Sequence, residues 1–213
     1  MPKLLNYSAN VTADYDIIDP KLLGDTILEV GVSERIFASK LWKTKVANDG
    51  VPEYVGIDAV RRVADHRIIE ANIVTCELNH EEKFDTILMI QTLEHINLWD
   101  WPQVIQKLKN VLKEGGYFIV SVPYKQNYQE DFRFPYWLEH YDRYQQHLVF
   151  RINKNMLEHF FPEAQFAIKW RIIFRQDGAN ILWASGRFIK RLLTKGYPPI
   201  RRSLYCIWQK VAT

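Results

Sequence analysis

The chain has only two cysteines, Cys76 and Cys206, and they stand in no CxxC or metal-like spacing. That excludes a disulfide scaffold and a cysteine-held metal cluster, and fits a reduced protein with two ordinary thiols. No apolar run approaches the roughly 20 residues needed to cross a bilayer. The opening Met1-Pro2-Lys3-Leu4-Leu5-Asn6 has no signal-peptide apolar core, so the expected location is cytoplasmic. Asn10-Val11-Thr12 fits the glycosylation pattern but carries no weight without a secretory signal. Internal repeats, low-complexity tracts and an obvious linker are lacking as well.

Acidic residues run out after Asp177, whereas Arg187, Lys190, Arg191, Lys195, Arg201, Arg202 and Lys210 follow it. This basic tail is either a solvated face or an attractor of phosphates, nucleic acid or an anionic membrane surface as a peripheral contact. The net charge of only +3 argues against nucleic acid as the main partner.

What is present is the composition of a soluble globular domain, 47% hydrophobic and 25% charged. The length of 213 residues suits one domain. Short apolar runs alternate with helical patterns from Asp25 onward. Thr26–Val30, Tyr54–Asp58, Arg67–Asn72, Phe84–Gln91 and Tyr117–Pro123 read as strands. Phe84–Gln91 is nearly continuous apolar sequence, as a strand covered on both faces requires. Glu34–Val46 has helix-like spacing, and Trp101–Lys113 places Val104, Ile105, Leu108, Val111 and Leu112 on one stripe, with Gly115-Gly116 as its stop. A helix follows from Asn153 to Phe161, then a strand over Phe166–Arg175; Ile181–Leu193 is an apolar run open to either reading. The pattern predicts an α/β, Rossmann-like three-layer sandwich with a mostly parallel central sheet and helices on both faces. One domain is expected over 1–213. Residues 1–24 form its lead, 25–123 a cofactor-binding core, and 124–213 an aromatic-rich cap segment after strand five with substrate-side elements.

Ligands of such sheets sit at the carboxyl ends of the strands. The first strand ends Glu29-Val30-Gly31-Val32-Ser33-Glu34-Arg35, and glycine there lets the backbone turn tightly against a ligand. Asp58, ending the second, suits a pair of ribose hydroxyls. The G-x-G-x-x-G of dinucleotide sites is missing, because Gly31 stands alone and Arg35 follows.

Four segments in order carry a family resemblance: Asp25–Gly31, Tyr54–Asp58, Phe84–Ile96 and Leu108–Pro123. Together they resemble the class I S-adenosylmethionine-dependent methyltransferases, particularly the small-molecule branch. The resemblance implies S-adenosyl-L-methionine as cofactor, with Glu29 in its first motif. Gly31, Val32 and Ser33 would lie beneath the methionine part, Asp58 on the ribose and Ala59 beside the adenine. Asn72 would either bond the adenine amino group or be an ordinary turn residue. Ile73 would pack on the ring, and Gln91 would line the methionine end. The family loop is G-x-G-x-G, so Ser33 and Arg35 depart from it; a non-catalytic, scaffold-like relative is the alternative.

Methyl transfer needs alignment more than acid–base groups, but a hydroxyl acceptor is helped by a base. Histidine fits at neutral pH, and His95, His140 and His147 are the candidates. Some relatives bind a divalent metal through an acid three residues before the Glu94-His95 pair. Gln91 stands there instead, so no metal is expected. The aromatic and basic mixture of residues 124–150 suits a small-molecule acceptor, a sugar or a phosphorylated metabolite methylated on oxygen. Core packing of a cap explains it equally well. A nucleic-acid methyltransferase using the basic tail is the second alternative.

Overall fold

The computed structural model describes residues 12–32, 35–60, 65–78, 84–123, 152–172 and 200–211. A short helix α1 (Thr12–Tyr15) leads through a 3-10 turn at Pro20–Leu22 into strand β1 (Thr26–Val30). The helical stretch that follows is two helices, α2 (Arg35–Ala38) and α3 (Lys40–Asp49). Ser39 makes the break: its hydroxyl accepts from the Trp42 amide at 3.1 Å as N-cap of α3. Strand β2 is Glu53–Asp58, β3 Ile68–Glu70 and β4 Phe84–Ile90, with 3-10 turns at Leu93–His95 and Leu98–Asp100. Helix α4 (Trp101–Val111) feeds β5 (Leu112–Pro123); α5 (Lys154–Phe160), β6 (Gln165–Ile172) and β7 (Ile200–Gln209) complete the described elements.

The seven strands form one sheet in the order β3-β2-β1-β4-β5-β7-β6. All neighbours are parallel except that β7 lies antiparallel between β5 and β6. Two cores follow from the alternation of side chains along each strand. Leu28, Val30, Ile87, Met89, Phe118 and Val120 face α4 and α5. Ile27, Leu88, Ile90 and Ile119 face the opposite way, against Tyr15, Ile36, Leu41 and Trp42 from α1 to α3. Helices thus cover both faces, the predicted three-layer sandwich. Helix α4 buries Val104, Ile105, Leu108 and Val111 of the stripe read from sequence, together with Trp101, while Leu112 of that stripe falls in β5. Each aliphatic side chain of that stripe contributes about 1.5–3 kcal/mol by leaving water.

Three differences from the sequence reading have physical reasons. Helix α4 stops at Val111, before the glycine pair, because Leu112 is already extended (φ −78°, ψ 132°). Gly115, at φ 76°, then lets β5 carry an irregularity beside β4 rather than ending a helix. Residues 165–172, read from sequence as a strand over Phe166–Arg175, and 200–209, both within the 124–213 stretch of cap and substrate-side elements, pair in the sheet itself. The 124–150 segment and the 181–193 run lie outside the described residues.

Candidate functional site

From β1 the chain turns outward to β2 and β3, then crosses back to β4 on the other side of β1. The loops after β1 and β4 therefore part and leave a crevice at their carboxyl ends. Gly31 enters this crevice with its amide donating to Ile57 O at 2.8 Å and φ at 76°. A Cβ there would lie 2.2 Å from Thr92 Oγ1 and 2.4 Å from Thr92 Cγ2. Left-handed backbone and close approach both demand glycine. Val32 leans the other way: its Cγ2 lies 2.5 Å from where a Cβ on Gly56 would be, so a second glycine makes room for it.

Glu29 lies below this surface. It is fully buried, and its carboxylate accepts from the hydroxyls of Tyr15 and Tyr54. Burial, then the charge of Glu29, pushes the Tyr54 phenol far above its ordinary range. The carboxylate thus ties α1 to β1 and β2, facing the core beneath the loop.

Asp58 is half-buried at the end of β2, and its Oδ1 accepts from the Val60 amide at 2.9 Å. Ala59 beside it is exposed. The Asp58 carbonyl accepts from the Ala71 amide at 2.8 Å, which brings the exit of β3 alongside. Asn72 is exposed there, and its Oδ1 accepts from the Val74 amide at 2.9 Å. Of the two readings of Asn72, the turn role is the one seen in the geometry. Ile73 is 6% exposed and packs against the α4 core, so only an edge of it remains for a ring. A residue the sequence reading passed over, Lys107 on α4, holds this turn. Its ammonium donates to the carbonyls of Ile73 (3.0 Å), Val74 (3.2 Å) and Cys76 (2.5 Å).

Gln91, just past β4, has φ 53°, uncommon for a side chain with a Cβ. Its amide N–H donates to Ser121 O at 2.9 Å, and its Nε2 to the hydroxyls of Ser121 (3.2 Å) and Ser203 (3.4 Å). His95 ends the 3-10 turn that follows, half-buried, with its backbone amide on Thr92 O at 2.9 Å. The structure thus gathers Gly31, Val32, Asp58, Ala59, Asn72, Ile73, Gln91 and His95 around the carboxyl ends of β1 to β4. Ser33, His140 and His147 lie outside the described residues. Among the described residues, no group of three histidine, cysteine or acidic side chains could hold a metal ion.

The donor set fits an adenosine-bearing cofactor without phosphates. It offers an acid for hydroxyls and a glycine cradle. A family model described as a methyltransferase domain matches residues 13–169, well over half of the sequence. The chain belongs to this methyltransferase family. The class I S-adenosylmethionine-dependent superfamily expected from the four segments is thereby borne out.

Solved methyltransferases share the fold. A Methanosarcina mazei S-adenosylmethionine-dependent methyltransferase superposes with TM-score 0.55 at 12% identity, covering 91% of this chain and 96% of that one. NodS, an N-methyltransferase of Bradyrhizobium japonicum, gives 0.51 at 12% identity, over 94% and 93%. Phosphoethanolamine N-methyltransferase 2 of Haemonchus contortus, solved with phosphomonomethylethanolamine and S-adenosylhomocysteine, gives 0.53 at 13% identity, over 97% and 53%. This methyltransferase therefore spans about half the length of the Haemonchus enzyme. No curated protein matches in sequence. No helix among the described residues is long and apolar enough to cross a membrane.

Thr92, Lys107, Tyr15 and Ser203 were not singled out from sequence. Thr92 sits inside the fourth-strand segment, but its contact with Gly31 is a tertiary fact with no periodic signal.

Proposed function

We propose that the protein transfers a methyl group from S-adenosylmethionine to a small-molecule acceptor, an oxygen of a sugar or of a phosphorylated metabolite. The observation that carries this reading is the juxtaposition of Gly31, Thr92, Asp58 and Gln91 at the point where strand order reverses. When bound, the cofactor supplies a methyl group on an activated sulfonium. Asp58 would accept from the ribose hydroxyls, and Gly31 and Val32 would admit the methionyl chain without a side-chain clash. Gln91 would line the methionine end, while Ile73 and the Asn72 turn would border the adenine. As the new carbon–oxygen bond would form and the methyl–sulfur bond break, releasing the neutral thioether S-adenosylhomocysteine, the acceptor hydroxyl would lose its proton. His95 is the described histidine beside β4 able to take it. A phosphorylated acceptor draws support from the Haemonchus enzyme, whose bound ligand is a phosphorylated small molecule. It also fits the basic run after Asp177.

Titration calorimetry of the whole chain with S-adenosylhomocysteine tests the cofactor. Saturable heat is expected, weakened about tenfold or more by Asp58→Ala, which deletes a charge-assisted contact. Folded protein that gives no heat with millimolar S-adenosylmethionine sinks the reading. Label from methyl-tritiated cofactor should then enter pooled sugars or phosphorylated metabolites. Binding without transfer to any pool would instead mark a non-catalytic relative, and label entering only nucleic acid would reassign the acceptor.

A further inference from the structure

Asp14 is a carboxylate only 3% exposed that the reaction above does not use. Its Oδ1 accepts from Tyr205 Oη at 2.9 Å and from Ser203 Oγ at 3.4 Å, joining α1 to β7 across 191 and 189 residues of sequence. Tyr205 Oη also reaches the Asp14 carbonyl at 3.1 Å, which fixes this end of the chain of contacts. The other end is Gln91, whose Nε2 donates to Ser203 and Ser121.

The direction of these bonds follows from what each group can do. A carboxylate only accepts, so the single hydroxyl proton of Ser203 goes to Asp14. The lone pairs of Ser203 are then what faces Gln91, and they call for the amide NH2. With both N–H groups held by seryl oxygens, the amide cannot flip. Its open polar atom is Oε1, to which nothing donates among the described residues. The charge at Asp14 is therefore transmitted as polarity, not as contact.

We propose that Asp14 is a positioning residue. Through Ser203 it holds Gln91 with Oε1 outward, so that this oxygen accepts from the ammonium of the cofactor's methionyl group. The inference rests on the cofactor reading above. It assigns to a buried aspartate, placed outside the β1–β4 crevice, the selection of a cationic amine at that end of the site.

The test compares two probes on the intact chain by calorimetry. S-adenosylhomocysteine carries the methionyl-type ammonium; 5′-methylthioadenosine keeps the adenosine and sulfur but lacks it. Asp14→Asn supplies a side chain that can donate, so Ser203 and then Gln91 can turn round. Affinity for S-adenosylhomocysteine should fall about tenfold, the worth of one hydrogen bond to a charged group, with that for 5′-methylthioadenosine unchanged. Adding Gln91→Glu, which can only accept, should restore much of the loss. Ser203→Ala removes the relay by one hydroxyl and should show the same selectivity, keeping the test alive if Asp14→Asn folds badly. Equal weakening of both probes in Ser203→Ala, or no weakening of either, overturns the relay. Wild-type protein that binds neither probe overturns the cofactor reading first and the relay with it.

Discussion

Gly31 and Thr92 meet so closely across the β1–β4 crevice that a methyl group on the glycine would sit 2.2 Å from the threonine hydroxyl. The contact closes the floor of the crevice where the two loops part. Gly31→Ala meets two separate penalties, a left-handed backbone and an overpacked neighbour. Together they should cost about 2–4 kcal/mol in urea denaturation and abolish most binding of S-adenosylhomocysteine. Thr92→Ala in that background removes the two nearest atoms but leaves Cβ at 2.8 Å, so it relieves the clash only in part, keeps the backbone strain, and should recover less than half of the stability. Failure of Thr92→Ala to recover any would show that the contact is not what excludes a side chain.

Lys107, on α4, fixes the turn at the exit of β3 through three backbone carbonyls. Lys107→Met keeps most of the apolar stem and removes the donors. Stability should drop by about 1–3 kcal/mol. Hydrogen exchange at Val74, Thr75 and Cys76 should accelerate ahead of the β4 and β5 amides. This turn borders the adenine end, so S-adenosylhomocysteine and 5′-methylthioadenosine should weaken together, unlike the outcome expected of Asp14→Asn. A loss confined to S-adenosylhomocysteine would contradict the placement of this turn.

Much of this frame was legible in the chain. The run Phe84–Ile90 is nearly continuous apolar sequence, as a strand covered on both faces requires, and Val104, Ile105, Leu108 and Val111 keep a helical stripe. Strand β7 was not legible. It opens on Ile200-Arg201-Arg202, and its place between β5 and β6 depends on partners far away in sequence. The polar ties share that limit. Tyr15 reaches Glu29, and Asp14 reaches Ser203 and Tyr205, over separations at which no local period operates. Glu29 adds a role its motif position did not reveal: its carboxylate accepts from Tyr15 and Tyr54.

Asp85 anchors the opposite end of β4. It accepts from the Thr26 amide (2.9 Å), the Thr26 hydroxyl (2.7 Å) and the Lys113 ammonium (2.8 Å). Partial burial alone would raise its carboxyl, but the Lys113 and Thr26 donors outweigh it and hold the group below its ordinary range. A carboxyl depressed in the folded state contributes stability above its unfolded value of about 3.9, and loses it as pH falls through the folded value. Lys113→Met should therefore cost up to about 1 kcal/mol near pH 7, discounted because Lys113 is 40% exposed. The gap between variant and wild type should close as pH falls through the depressed folded value of Asp85, below which it is protonated in both. A gap that widens on acidification would mean the pair is not what lowers Asp85.

The two thiols should differ sharply in reactivity. Cys206 is fully buried in the core between β7 and α4, and that burial pushes its thiol up to about 12, with the nearby Lys109 ammonium opposing only in part. The thiolate is the nucleophile, and at pH 8 a thiol with that value is ionised only to about one part in ten thousand. Cys76 is half-buried in the turn that Lys107 holds, within reach of reagent whenever that turn opens. A disulfide reagent should thus modify one thiol per folded chain and two per chain in denaturant. Lys107→Met, by loosening the turn, should speed modification of Cys76 and leave Cys206 protected. Two thiols reacting at similar rates in the native protein would show that the β7 insertion does not seal this core.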